Sequence, residues 1–193
     1  MPEHIIQVEP ISPDAFAPFG QVIERSSAPP VFENPGLRSW RLDYRAIGDT
    51  ELMVIEFSEI DMRFDRIERH HDVTQCFLPL SGRWMVMVVA PDSGAAAPDP
   101  ETVRAFLVAP HQGILLARSV WHALNRFPIG GSAVYALLTS RETQAELEHQ
   151  RAGGPTPRRT DVHDFADAGM AFRLAIPTDL LPVAHDASHL SPR

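Results

Sequence analysis

At 193 residues with a formal net charge of -8, the chain is long enough to bury one good core and too acidic to present the clustered Lys and Arg that nucleic-acid phosphates call for. Apolar residues make up 44% and charged residues 22%, which excludes a disordered chain or a fibre. No apolar run approaches the ~20 residues that span a bilayer, and the opening MPEHIIQVEP lacks the basic and apolar parts of a signal peptide, so a cytoplasmic protein without a membrane partner is expected. The single cysteine, Cys76, excludes a disulfide framework or a thiolate zinc site within one chain.

IIQVEPIS alternates as a short strand, and SPDAFAPFG comes next as a helical turn with Ser12 as N-cap, Pro13 at the first helical position and Gly20 as its stop. SSAPPVFENPG, residues 26–36, reads as loop. Four apolar runs carry the middle of the chain: QCFLPL, RWMVMVVAP, VRAFLVAP and SAVYALLTS. Each is short and rich in Val, Leu or Phe, and turn clusters such as SG, PDSGAAAPDPE and PIGG separate them. No long helical pattern lies between them, so neighbouring strands are expected to pair antiparallel in a mainly all-β barrel or sandwich. After Thr139 the pattern changes. Thr139 and Glu142 stand three apart as a capping box, and a polar-rich helix should run to AGGP. GGPTPRRTD reads as linker, and the segment after it as a tail with enough apolar residues to dock. Residues 1–145 are therefore expected to form the barrel domain, and residues 146–193 a C-terminal helix, linker and tail packed on the barrel or on a partner subunit.

The chemistry concentrates in IERHHDVTQ, residues 67–75. Side chains alternate faces along a strand, so Glu68 and His70 share one face while Ile67, Arg69 and His71 share the other. Gln75 lies five residues beyond His70, and Gly82 seven further on in the turn LSGR. A second imidazole, His122 in LLARSVWHALN, comes after a strand and a turn at Arg118 and Ser119. Two imidazoles on different strands of one small barrel converge inside it, and carboxylate or amide oxygens can fill further positions around a metal. The same pair is also compatible with satisfied polar groups in a barrel mouth, and Glu68 with a solvated or ion-paired carboxylate.

This spacing resembles the two motifs of cupin barrels. Glu68 stands where the first histidine of that pattern is found, His70 matches the second, Gln75 takes the glutamate position and Gly82 the glycine. ARSVWHALN resembles the second motif, with His122 in the metal-histidine position and Ala117 and Ser119 replacing the usual proline and glycine. Over more of the chain, VEPISPDAFAPFGQVIE, NPGL, IERH followed by TQCFLPLSG, VVAPD, VRAFLVAPHQGILLARSVWH and YALLTSR resemble, in that order, the ureidoglycolate lyases, from about residue 7 to residue 141. The resemblance implies an antiparallel cupin-type β-barrel or jelly roll with a few short helices. It also implies release of glyoxylate and urea from ureidoglycolate, and a divalent metal, nickel being the one associated with the family.

Ureidoglycolate is a carbinolamine whose cleavage needs a base for the hydroxyl proton and an acid for the departing nitrogen, and histidine suits both near neutral pH. The resemblance thus implies His70, His122 and Glu68 as catalytic residues. It implies His70, Gln75, His122 and Glu68 as metal ligands, a mixed nitrogen and oxygen set suited to nickel, manganese, iron or zinc. The substrate carboxylate calls for an arginine fork. Arg118, four residues before His122, is the first candidate and Arg41 after NPGL the second, with Gln75 as a further substrate contact. Trp121 and Phe77 are expected to wall the cavity, Trp40 and Trp84 to pack. His71 is expected to be an exposed strand residue without a role, and Cys76 a small buried hydrophobe. His149, His163, His185 and His189 read as structural or exposed. Barrel edges and the apolar tail lead to the expectation of a homodimer. The competing reading is a cupin that binds a small acid without turning it over, or a metal-dependent cupin enzyme acting on a different small hydroxy acid.

Overall fold

The computed structural model describes residues 3–180. The chain runs through β1 (Glu3–Pro10), α1 (Pro13–Phe16), β2 (Gly20–Ile23), β3 (Phe32–Asn34), β4 (Leu37–Ser39), β5 (Thr50–Phe57), β6 (Arg63–Phe64), β7 (Arg66–His70), β8 (Gln75–Pro79) and β9 (Trp84–Ala90). It continues with β10 (Arg104–Val108), β11 (Gly113–Leu116), β12 (Trp121–Ala123), β13 (Phe127–Ile129), β14 (Ala133–Ser140), α2 (Arg141–Arg151), β15 (Thr160–Asp164) and β16 (Ala171–Ala175). The four expected middle strands form as β8, β9, β10 and β14. The expected all-β, cupin-like fold is what these elements build.

Two sheets make up the barrel. The larger has the order β15-β7-β12-β9-β10-β1-β16-β6, with β13 also paired to β9; the smaller has the order β2-β11-β8-β14-β5. β6 and β7 are separated in sequence by Asp65 alone yet lie near opposite ends of the larger sheet, so that sheet has to curl back on itself. Between the two sheets lies one core, containing Phe16, Phe77, Phe106, Ile114, Tyr135 and Leu137. Inside the curl of the larger sheet lies a second, containing Phe64, Ile67, Trp121, Phe127, Phe165 and Phe172.

β9 borders both cores. Met85, Met87 and Val89 face the first, and Val86, Val88 and Ala90 face the second. All six are buried, which is why WMVMVVA shows no polar alternation: a strand covered on both faces reads as a continuous apolar run.

The pairing departs from the antiparallel expectation at β1, which runs parallel to both β10 and β16. Long connections join β1 to these partners, so no hairpin imposes a direction. The segment read as loop, residues 26–36, contains β3, which pairs with β4 just beyond it as a short hairpin. At α2 the cap is Ser140, not Thr139: the Ser140 hydroxyl accepts from the Thr143 amide at 3.1 Å, and Thr139 instead completes β14. α1 starts as expected, with Pro13 at its first position and the Ser12 hydroxyl accepting from the Ala15 amide, but it closes at Ala17, and Gly20, expected as its stop, opens β2 instead. The end of the expected linker and the tail after it add two strands to the barrel's own sheet, β15 on β7 and β16 on β1. The last part of that tail, with His185 and His189, lies outside the described residues.

Gly20 is where the N-terminal segment enters the smaller sheet. Its φ of +147° is disfavoured for other residues, and a Cβ there would overlap the Leu115 carbonyl across the β2–β11 pair. We expect Gly20→Ala to destabilise the protein by about 2 kcal/mol or more, read as a lowered urea midpoint. An unchanged midpoint would show that this close approach is not needed.

Candidate active site

β7 and β12 pair antiparallel with His122 directly opposite Glu68. Opposed residues in a sheet share a face, and alternation adds His70 to it. His122 is also opposite Val89, a residue of the first core, so all three side chains point between the two sheets. Glu68 Oε1 lies 3.8 Å from His70 Nε2 and 3.6 Å from His122 Nε2, and the two imidazole centroids are 5.1 Å apart. One ligand atom from each of Glu68, His70 and His122 lies within 4.8 Å of the others, the spacing of a metal-binding group. Gln75 enters from the smaller sheet: it sits two residues before Phe77 on β8, and Phe77 belongs to the same inner core.

Several polar atoms on the inner side of the barrel make no hydrogen bond among the described residues. His70 Nε2, His122 Nε2 and Gln75 Oε1 are buried without a hydrogen bond, as are Tyr135 Oη and Thr139 Oγ1. Native interiors leave few such atoms, so a group of them sharing one interior marks a binding site. The outer imidazole nitrogens, by contrast, are engaged. His122 Nδ1 lies 3.1 Å from the Val120 carbonyl, which only accepts; Nδ1 therefore carries the proton and Nε2 offers its lone pair to the site. His70 Nδ1 is held 2.9 Å from Thr160 Oγ1 of β15. Carbonyl or hydroxyl partners behind the imidazoles are what metal-ligating histidines require to be oriented.

Burial sets the charge states. It pushes His70 down to about 3, with His122 lowering it further and Glu68 opposing. Burial likewise lowers His122, against the pull of Glu68. Both imidazoles are neutral at physiological pH. For Glu68, burial acts upward, but its contact with His122 and the fields of His70, His122 and Arg126 outweigh that and hold it at about 2. Glu68 is a carboxylate.

Arg126 carries no signal in the sequence. It is 2% exposed and its guanidinium lies over Phe77 at 4.4 Å and near Phe57 at 5.6 Å, on the same inner side. Burial lowers it to about 10, Glu68 opposing. Its position in ALNRFPI, between two strands, looks like an ordinary turn cation, and no spacing rule draws attention to it. Thr160 is hidden for a similar reason, in a stretch that reads as linker.

The other candidates fall elsewhere. Arg118 is half-buried in the turn before β12, with Nε buried and unpartnered, and makes no bond to the cluster. Arg41 is exposed and lines a surface groove of about 570 Å³ with Gln21, Trp40 and Leu42, away from the histidines. Phe77 walls the interior as expected, but Trp121 does not. One residue before His122, it faces the second core and stacks under Arg69 at 4.4 Å. His71 is not a free surface residue either. Its Nε2 lies 3.0 Å from Asp161 Oδ2 and its Nδ1 3.2 Å from the Ser119 hydroxyl. Ser119 has the left-handed φ of +62°, and its amide donates to the His70 carbonyl, tying the end of β7 to the turn that launches β12. Cys76 is buried, and burial raises its thiol to about 11.

The neutral imidazoles give a pH dependence whose sign is fixed. Below about 6.5 an unfolded His70 binds a proton that the folded site refuses until about 3. Stability is thus full above that window and falls as pH drops through it, by at most ~1.4 kcal/mol per pH unit for each such histidine. Glu68 adds a second loss between 4.5 and about 2, where the unfolded carboxylate protonates first. For chelator-treated protein, urea midpoints should decline from pH 7 to 4, and His70→Asn should flatten that decline. A midpoint that does not move with pH would contradict buried neutral imidazoles.

A family model described as Ureidoglycolate lyase matches residues 3–156. Among curated relatives named ureidoglycolate lyase, the protein of Rhodobacter capsulatus is 34% identical over 150 residues, covering 74% of this chain and 91% of that one. That of Azotobacter vinelandii is 36% identical over 129 residues, covering 61% and 75%. That of Brucella ovis is 35% identical over 179 residues, covering 88% and 94%. With the family model spanning most of its length and relatives above 30% identity matched over most of theirs, the chain belongs to the ureidoglycolate lyase family.

Proposed function

We propose that the protein cleaves ureidoglycolate to glyoxylate and urea, and that Glu68, His70, Gln75 and His122 form its active centre. The observation that carries this reading is the pair of neutral, unpartnered Nε2 atoms flanking a carboxylate inside the barrel. Family membership supports the choice of reaction.

The donors suit a divalent cation: two imidazole lone pairs, a carboxylate oxygen and the unpartnered Gln75 Oε1. Nickel is the ion the family resemblance suggests, and the mixed set accepts manganese, iron or zinc as well. A cation held by these residues would acidify the substrate hydroxyl and fix its orientation. The chain's own part is proton movement. The reaction transfers one proton from the carbinolamine hydroxyl to the departing ureido nitrogen as the C–N bond breaks and the carbonyl forms. Glu68, ionised and adjacent to both imidazoles, is placed to accept the hydroxyl proton and return it to that nitrogen. The unpartnered Tyr135 hydroxyl and Thr139 hydroxyl offer polar contacts for the ureido end. Two cations compete for the carboxylate end, Arg118 in the turn tied to His70 and the fully buried Arg126.

The reading extends to assembly and place. β5 is an edge strand of the smaller sheet, and on its outer face Leu52 is 70% and Val54 72% exposed. Val134, Ala136 and Leu138 of β14 continue the apolar surface beside them. A second copy of the chain covering this face gives a homodimer. The buried free thiol of Cys76 suits the cytoplasm, where thiols stay reduced.

Purified protein should release glyoxylate and urea from ureidoglycolate, lose activity to a chelator and regain it with a first-row divalent ion. His122→Ala and Glu68→Gln should each lower kcat by a factor on the order of 10² or more. No glyoxylate with any ion tried would end the lyase reading. For assembly, light scattering should give a dimer mass that Leu52→Glu with Val54→Glu converts to monomer. A wild-type monomer at high concentration would remove the proposed interface.

A further inference from the structure

Arg126 is a buried cation whose surroundings answer only part of its hydrogen-bonding capacity. Nη1 donates to the carbonyls of Ala123 and Asn125, and these are the bonds the side chain makes to described residues. Nε is buried without a partner. Among the described residues no carboxylate lies within ion-pair distance of the guanidinium, although its field reaches Glu68, His70, His122 and Tyr135. A buried charge without a contacting counter-ion is costly. Aromatic faces offset part of that cost: the guanidinium lies over Phe77 and near Phe57, which also stop it from turning away.

One edge of the fork remains open. With Nη1 tied back to the main chain, the Nε and Nη2 hydrogens form the side-on edge that grips a carboxylate with two parallel bonds. The same protein shows that edge in use at its surface. Arg104 Nε donates to Glu9 Oε1 at 2.9 Å while Arg104 Nη2 donates to Glu9 Oε2 at 2.6 Å. Arg126 has the corresponding atoms inside the barrel, over Phe77 and with its field reaching Glu68 and the two histidines, with no carboxylate of its own among the described residues.

We propose that Arg126 is the substrate-binding residue that anchors the carboxylate of a small 2-hydroxy or 2-oxo acid, through its Nε–Nη2 edge, beside the Glu68, His70 and His122 cluster. This rests on the reading of that cluster as the active centre and adds its specificity: the cavity selects an acid over its uncharged counterpart. A two-carbon acid held there by one end presents its other carbon toward the imidazoles. Arg118 is the alternative anchor, and it is only half-buried, whereas Arg126 is buried over Phe77.

The test compares oxalate with its uncharged analogue oxamide, by titration calorimetry on the protein as purified. Wild type should bind oxalate well and oxamide weakly. Arg126→Met should weaken oxalate by about 10- to 100-fold, the size of a lost charged hydrogen-bond pair, and leave oxamide unchanged. Arg126→Lys, which keeps the charge and loses the fork, should fall between them and covers the case in which Arg126→Met does not fold. With ureidoglycolate, Arg126→Met should raise KM much more than it lowers kcat, because a carboxylate contact is equally present in ground and transition states. A parallel fall for oxalate and oxamide, equal oxalate affinity in wild type and Arg126→Met, or the whole loss appearing in Arg118→Met instead, overturns the proposal. Wild type that binds oxalate through Arg126 but releases no glyoxylate upholds the anchor and sinks the lyase reading. Turnover indifferent to Arg126 does the reverse.

Discussion

Everything in this fold is arranged around a strand that has no outside. β9 is buried on both faces, three side chains facing the space between the sheets and three facing the curl of the larger sheet. Each Val or Met among them stabilises the fold by roughly 1.5–3 kcal/mol relative to exposure. Covering both faces requires two cores and hence a sheet that bends around one of them. β12 and β10 flank β9, so the strand that carries His122 is held at the centre of the barrel rather than at a rim.

Within that setting the polar cluster is an exception that has to be maintained. Neutral imidazoles can live in an apolar interior if one nitrogen is satisfied, and Val120 and Thr160 satisfy them. Glu68 is held as a carboxylate against its burial by its contact with His122 and by the surrounding fields, that of the more distant Arg126 among them. Outside the interior, Arg69, Asp161, His71 and Ser119 form a polar clamp on the opposite face of β7, which fixes the strand without entering the site. The alternation along IERHH thus separates two faces: even-numbered residues point into the candidate centre and odd-numbered residues hold the strand in place.

That alternation is why the site is partly legible in the sequence. Period-two geometry alone places Glu68 with His70 and turns Arg69 away, and the apolar runs mark the middle strands nearly to the residue. The partner strands are less readable. Nothing local indicates that β15 joins β7, or that β1 runs parallel to β10 and β16, because those pairings are decided by which apolar faces remain to be covered. The expectation that Trp121 walls the cavity runs against the same alternation: Trp121 neighbours His122, so it belongs to the other face, where it joins the second core. Arg126 escapes because a turn residue has no periodicity to betray its direction, and only the packing against Phe57 and Phe77 shows where the guanidinium goes.

The contact between His70 and Thr160 spans 90 positions of sequence. Strand β15, which delivers that hydroxyl, is the last but one of the described strands in chain order. A nascent chain that has released its histidines from the ribosome therefore carries them for many seconds of synthesis with one imidazole still free to rotate, at the usual pace of elongation, ~5–20 residues per second. Long-range closure of this kind is slow to form and late to complete. The centre can take its final geometry only once Thr160 has been made and β15 has closed on β7, 90 positions after His70.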